Sequence, residues 1–125
     1  MILGIGLDVV ATERIARSLA DGNGRFAELV FTAAERAACA PRADRAQALA
    51  ARFAAKEACF KALGTGWAEG VSFQQIEVVG LEGGRPMLQL TGRAAERARA
   101  LGVRQMHVTL THEQHVAAAV VVLEG

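Results

Sequence analysis

Apolar and polar positions divide the chain into a strand, a run of helices, and then mostly strands. Ile2 to Val10 is a short apolar run carrying Gly4 and Gly6, which predicts a buried strand whose backbone approaches another element closely. Thr12 is a candidate N-cap for a helix with Ile15 and Leu19 at helical spacing, and Asp21-Gly22-Asn23-Gly24 ends it in turn chemistry. Thr32, with Glu35 three residues later, forms a capping box for the next helix, which Pro41 breaks. Arg52 to Gly66 is rich in Ala with Lys, Glu and Leu, and Gly64 stands where a left-handed helix cap is expected. Residues four apart place Phe53, Glu57 and Lys61 in one row, with Glu57 and Lys61 spaced for an ion pair. Ala50, Ala54, Ala58, Phe60 and Leu63 can supply the buried side.

Ser72 to Val79 alternates loosely as a strand, Glu82-Gly83-Gly84-Arg85 turns, and Pro86 opens a second strand from Met87 to Thr91. Together they predict a hairpin. After Gly92, a basic helix from Arg93 to Leu101 is closed by Gly102. Gln105 to Thr111 and Val116 to Leu123 are the last strands, joined near Glu113 and Gln114. The second is apolar on both faces and belongs at the centre of a sheet. This order predicts a single α+β domain over residues 1–125, an antiparallel sheet packed against helices.

Composition removes several function classes. A net charge of +1 argues against a general nucleic-acid binder, and five Phe, one Trp and no Tyr offer no stacking platform for single strands. No apolar run reaches the length of a membrane helix. The start lacks a basic leader and carries Asp8 early, so a cytosolic protein is expected. Cys39 and Cys59 form no CxxC and are expected as reduced core thiols.

Several chemistries fail on spacing. His112-Glu113-Gln114-His115 is one residue short of HExxH and falls at a strand turn. Gly4-Ile5-Gly6 lacks the third glycine of a dinucleotide fingerprint, and neither a P-loop nor a serine elbow occurs. Asp8, Arg52, Glu57, Lys61 and His112 remain. On the residues alone, Asp8 either marks the end of its strand or is a carboxylate that needs a cation, a hydrogen-bond donor or solvent. Two carboxylates match magnesium, which keeps waters and fills its shell with phosphate oxygens, and a lysine and an arginine would balance phosphate charge. Arg14, Arg17 and Arg25 beside Phe26 are either solvated or a basic strip with an apolar anchor, suited to an acidic partner.

Gly4-Ile5-Gly6-Leu7-Asp8, the Phe-Ala-Ala-Lys-Glu-Ala core within Arg52 to Gly66, Ser72 to Glu77, and Val108-Thr109-Leu110-Thr111-His112 stand in a telling order. In this order the whole chain resembles the holo-acyl-carrier-protein synthases, the short bacterial type of 4′-phosphopantetheinyl transferase. The resemblance implies transfer of phosphopantetheine from coenzyme A to a serine of apo acyl carrier protein, releasing adenosine 3′,5′-bisphosphate and activating the carrier for fatty acid biosynthesis. It implies Mg²⁺ held by Asp8 and Glu57, with Lys61 contacting phosphate or assisting serine deprotonation; Lys61, Glu57 or a metal-bound water could be the base, and the sequence does not choose. Arg52, Lys61, Gly64, Gly66, Pro86 and His112 would bind coenzyme A, and Arg14, Arg25 and Phe26 the acceptor. A homotrimer with sites between protomers is implied too, with no nucleic-acid or membrane partner. Gln75 departs from the pattern, standing where an acidic residue is frequent. Another Mg²⁺-dependent phosphotransfer enzyme would share the carboxylates without the basic strip, and an inactive carrier-binding module would need the strip without the metal.

Overall fold

Helix α4 (Arg45–Leu63) is buried on nearly every face, from Ala48 through Lys56 and again at Ala58–Phe60. Its alanines leave little side chain between it and the elements around it. The computed structural model describes residues 1–65, 70–80 and 83–125, so Gly66 lies outside the described residues. Strand β1 (Ile2–Ala11) leads into α1 (Thr12–Ala20), α2 (Arg25–Val30), α3 (Ala33–Cys39) and α4. A 3₁₀ turn (Phe73–Gln75) and the hairpin β2 (Ile76–Val79) and β3 (Met87–Leu90) follow. The chain ends with α5 (Gly92–Leu101), β4 (Gln105–His112) and β5 (Val116–Glu124).

Strands β1, β5 and β4 form an antiparallel three-stranded sheet with β5 at the centre, as its two-sided apolar sequence predicts. β2 and β3 make a separate two-stranded sheet. One face of the larger sheet packs on α4. Gly4 and Gly6 make this possible: a Cβ at either would collide with the carbonyl oxygen of Ala62 or Ala58, so strand and helix meet backbone to backbone. Asp8 lies on this inner face, paired in register with Ala119.

Local signals hold where they are self-contained. Thr32 and Glu35 form the expected capping box, Gly64 ends α4 at φ 71°, and Gly102 closes α5 at φ 85°. Thr12 is a correction: it is the first helical residue rather than the cap, and its buried hydroxyl makes no hydrogen bond. Ser72 to Val79 is not one strand. Ser72 and Gln75 form a capping box around the 3₁₀ turn, and β2 starts only at Ile76. Gln75 Oε1 also accepts from Ala94 N at 3.1 Å, tying this turn to the first turn of α5. The thiols of Cys39 and Cys59 are buried, and burial pushes Cys59 up to about 12, leaving it an inert core group.

A buried ion pair fastens these layers. Lys56 and Glu35 are both fully buried, with Nζ 2.7 Å from Oε1. Lys56 Nζ also donates to the carbonyls of Phe73 and Ile76, at 3.0 and 2.5 Å. Glu35 in turn accepts from Thr32 N at 2.9 Å and Val78 N at 2.7 Å. Helix α3, helix α4 and the start of the hairpin thus share one polar cluster. Burial pulls the Lys56 ammonium below its ordinary value, and Glu35 opposes that pull.

Candidate active site

Along α4 the row Phe53, Glu57, Lys61 runs from the core to the rim: Phe53 is buried, Glu57 half-buried and Lys61 exposed. The expected Glu57–Lys61 pair is replaced by a longer-range one. Lys61 Nζ donates to the Leu7 carbonyl at 2.8 Å and lies 3.4 Å from Asp8 Oδ1, a partner 53 residues earlier. The close approach of β1 to α4 makes this reach possible. Asp8 and Lys61 therefore meet across the strand–helix contact, with Glu57 one helical turn before Lys61 and within the field of both.

Two carboxylates, Asp8 and Glu57, share this corner with two cations, Lys61 and Arg14. Burial raises the Glu57 carboxyl above its ordinary value, the Asp8 charge raises it further, and Lys61 and Arg14 oppose the shift. Two carboxylates that repel each other beside a partly exposed lysine suit a hard divalent cation, which accepts one or two carboxylates and completes its shell with water and phosphate oxygens. Asp8 and Glu57 could hold such an ion.

Arg52 lies five residues before Glu57 and is buried, donating from one terminal nitrogen to Ala48 O at 3.2 Å while its Nε finds no acceptor. It lines two cavities. One, of about 370 Å³, is also lined by Arg42, Ala48, Thr111 and His112. The other, of about 490 Å³, lies between α3, α4 and β2, with Glu35, Val78 and Gly80 in its wall. A buried guanidinium in the wall of a space large enough for a phosphate suits an anion there. The structure thus brings Arg52 and His112 together. It does not bring Pro86 to them: Pro86 lines a separate cavity of about 360 Å³ with Arg85, Met87 and His107. Gly64 serves as the αL cap of α4, its amide donating to Lys61 O at 3.1 Å.

Arg14 and Phe26 converge on Phe53. The Arg14 guanidinium stands 5.9 Å from the Phe53 ring centroid, and the Phe26 ring is 6.1 Å away from it. Arg25 is exposed at the start of α2. Sequence reasoning passed over three participants. Leu29, one turn beyond Arg25, is largely exposed and adds an apolar contact to that surface. Arg42 joins Arg52 and His112, and Lys56 proves to be a buried anchor. Leu29 carried a signal, since a leucine four residues after a surface arginine shares its face; the other two depend on distant partners.

The 4′-phosphopantetheinyl transferase superfamily profile matches residues 4–120. The chain belongs to this superfamily, and within it to the holo-[acyl-carrier-protein] synthases. It is 56% identical over 128 residues to the holo-[acyl-carrier-protein] synthase of Anaeromyxobacter dehalogenans strain 2CP-1, covering 100% of this chain and 98% of the relative. It is 48% identical to that of Maridesulfovibrio salexigens, covering 99% of each. Among solved structures, the synthase of Neisseria meningitidis superposes with a TM-score of 0.88 at 33% identity, covering 100% of both chains. The Helicobacter pylori synthase in complex with coenzyme A gives 0.83 at 28% identity, covering 96% of this chain and 99% of that one.

Proposed function

We propose that this chain transfers the 4′-phosphopantetheine group of coenzyme A to a serine hydroxyl of apo acyl carrier protein, releasing adenosine 3′,5′-bisphosphate. The observation that carries the reading is the meeting of Asp8 with Lys61 across the β1–α4 contact, with Glu57 one helical turn away. Asp8 and Glu57 would hold Mg²⁺, which when bound supplies charge stabilisation for the pyrophosphate and its leaving group. Lys61, tethered to the Leu7 carbonyl, presents a cation to the transferring phosphate. The serine proton leaves to a base at this corner, for which Lys61, Glu57 or a metal-bound water could serve. Arg52 and His112 bind the nucleotide end in the cavity they share, and Gly64, Gly66 and, from a neighbouring protomer, Pro86 complete the coenzyme A set. Arg14, Arg25 and Phe26 receive the acidic surface of the carrier, and the field of Arg14 on Glu57 links that surface to the reacting centre.

The assembly is a homotrimer. The sheet face turned away from α4 carries Ile5, Leu7 and Val9, 60%, 56% and 60% exposed, in register with Val122, Val120 and Ala118 of β5. An apolar strip of this size is a liability in water unless another copy covers it. Pro86, lying apart from Arg52, is then free to serve a neighbouring protomer's site. Among the described residues no helix is long and apolar enough to cross a membrane. The work of the enzyme is cytoplasmic and serves fatty acid biosynthesis.

Intact-mass spectrometry of apo acyl carrier protein incubated with this protein, coenzyme A and Mg²⁺ tests the reaction. A gain of one phosphopantetheine, lost on chelation and in Asp8→Ala, is expected. Absence of any gain, with coenzyme A bound, would overturn the proposal.

A further inference from the structure

Asp44 occupies the N-cap position of α4, where an aspartate normally accepts a hydrogen bond from the helix amides, a contact worth about 1 kcal/mol. Its side chain makes no such bond. Both oxygens go instead to Arg42, Oδ1 accepting from Nε at 2.7 Å and Oδ2 from a terminal nitrogen at 2.9 Å. Oδ2 also faces His112 Nε2 at 3.8 Å. Arg42 and His112 line the same cavity as Arg52, whose buried Nε has no acceptor. A carboxylate beside an anion site is unfavourable unless it organises the cations that bind the anion. Here the bidentate contact fixes one edge of the guanidinium plane, and the second contact sets a charge beside the imidazole.

We propose that Asp44 is a positioning residue that relinquishes the helix cap to hold Arg42 and His112 at the mouth of the Arg52 cavity, where they clasp a phosphate of the donor's nucleotide end. The inference rests on the reading of that cavity as the nucleotide site. Arg42 becomes a third phosphate partner, and Asp44 acts through it without touching the ligand.

Calorimetric titration with adenosine 3′,5′-bisphosphate separates the two levels, because it needs no transfer step. Wild type, Asp44→Asn, Arg42→Ala and the double variant form a cycle. Asp44→Asn is expected to weaken binding about fourfold, the scale of an exposed charge pair, and to weaken it less once Arg42 is already alanine, when only the His112 contact remains to lose. In turnover assays the loss should fall on KM for coenzyme A rather than on kcat. Equal losses from Asp44→Asn in both backgrounds, or tighter binding in the single variant, would overturn the positioning role. No binding by wild type, or Arg52→Ala binding as wild type does, would overturn the reading of the cavity beneath it.

Discussion

Replacing Lys56 with Met removes an ammonium that is fully buried with Glu35 and keeps a side chain of similar length. Three acceptors each lose one donor: Glu35 Oε1 and the carbonyls of Phe73 and Ile76. Removing one partner of a buried pair costs about 3–5 kcal/mol, because the other charge is left in a medium that solvates it poorly. Glu35 keeps two backbone donors, Thr32 N and Val78 N, which solvate part of its charge. The expected loss is therefore near the lower end, about 3 kcal/mol, against a total of about 5–15 for a domain. Urea unfolding followed by circular dichroism reads it directly, as a lower midpoint at unchanged slope. Adding Glu35→Gln to Lys56→Met removes the stranded charge and should recover about 1 kcal/mol or more, so the two changes are far from additive. A loss below about 1 kcal/mol for Lys56→Met, or simple additivity of the two, would refute the view that this pair clamps the hairpin onto α4.

Glu57→Gln should abolish transfer and yet raise the melting temperature of the metal-free protein near neutral pH. The folded Glu57 carboxyl is raised above its ordinary 4.5, so its contribution to stability is complete below that value and is lost as pH rises through the raised one. The gap between variant and wild type in differential scanning fluorimetry should close on acidification below 4.5, and a gap independent of pH would count against the burial argument. Added Mg²⁺ should stabilise wild type and not the variant. Gly6→Ala drives a Cβ into the Ala58 carbonyl and should cost about 3 kcal/mol in urea unfolding; a variant as stable as wild type would mean the strand and helix are not in contact there. Arg14→Glu should raise KM for the carrier protein about tenfold or more while leaving bisphosphate binding in calorimetry intact, and the reverse pattern would sink the docking role. Leu7→Lys, on the open sheet face, should lower the mass seen by sedimentation equilibrium, and an unaltered mass would place the subunit contact elsewhere.

Much of the architecture is written locally. The Ala-rich run of α4, Gly64 as its stop, the Thr32–Glu35 box, the hairpin and the two-sided apolar strand β5 each depend on neighbours within one or two turns, so the chain alone determined them. Elimination of other chemistries left Asp8, Arg52, Glu57, Lys61 and His112 as candidates, without saying which of them come together. The meeting of Asp8 with Lys61 was not legible there. Lys61 takes Asp8 and a β1 carbonyl in preference to Glu57 because two glycines let β1 sink onto the helix, a fact about packing that periodicity does not encode. Lys56, part of the Phe-Ala-Ala-Lys-Glu-Ala core with no role of its own read from sequence, is buried because α3 and the hairpin bring a carboxylate and two carbonyls to it. Ser72 to Gln75 alternates like a strand but curls because Gln75 is needed at the start of α5. Short-range patterns decide which elements form; desolvation and long-range partners decide which charges meet, and only the folded chain supplies those.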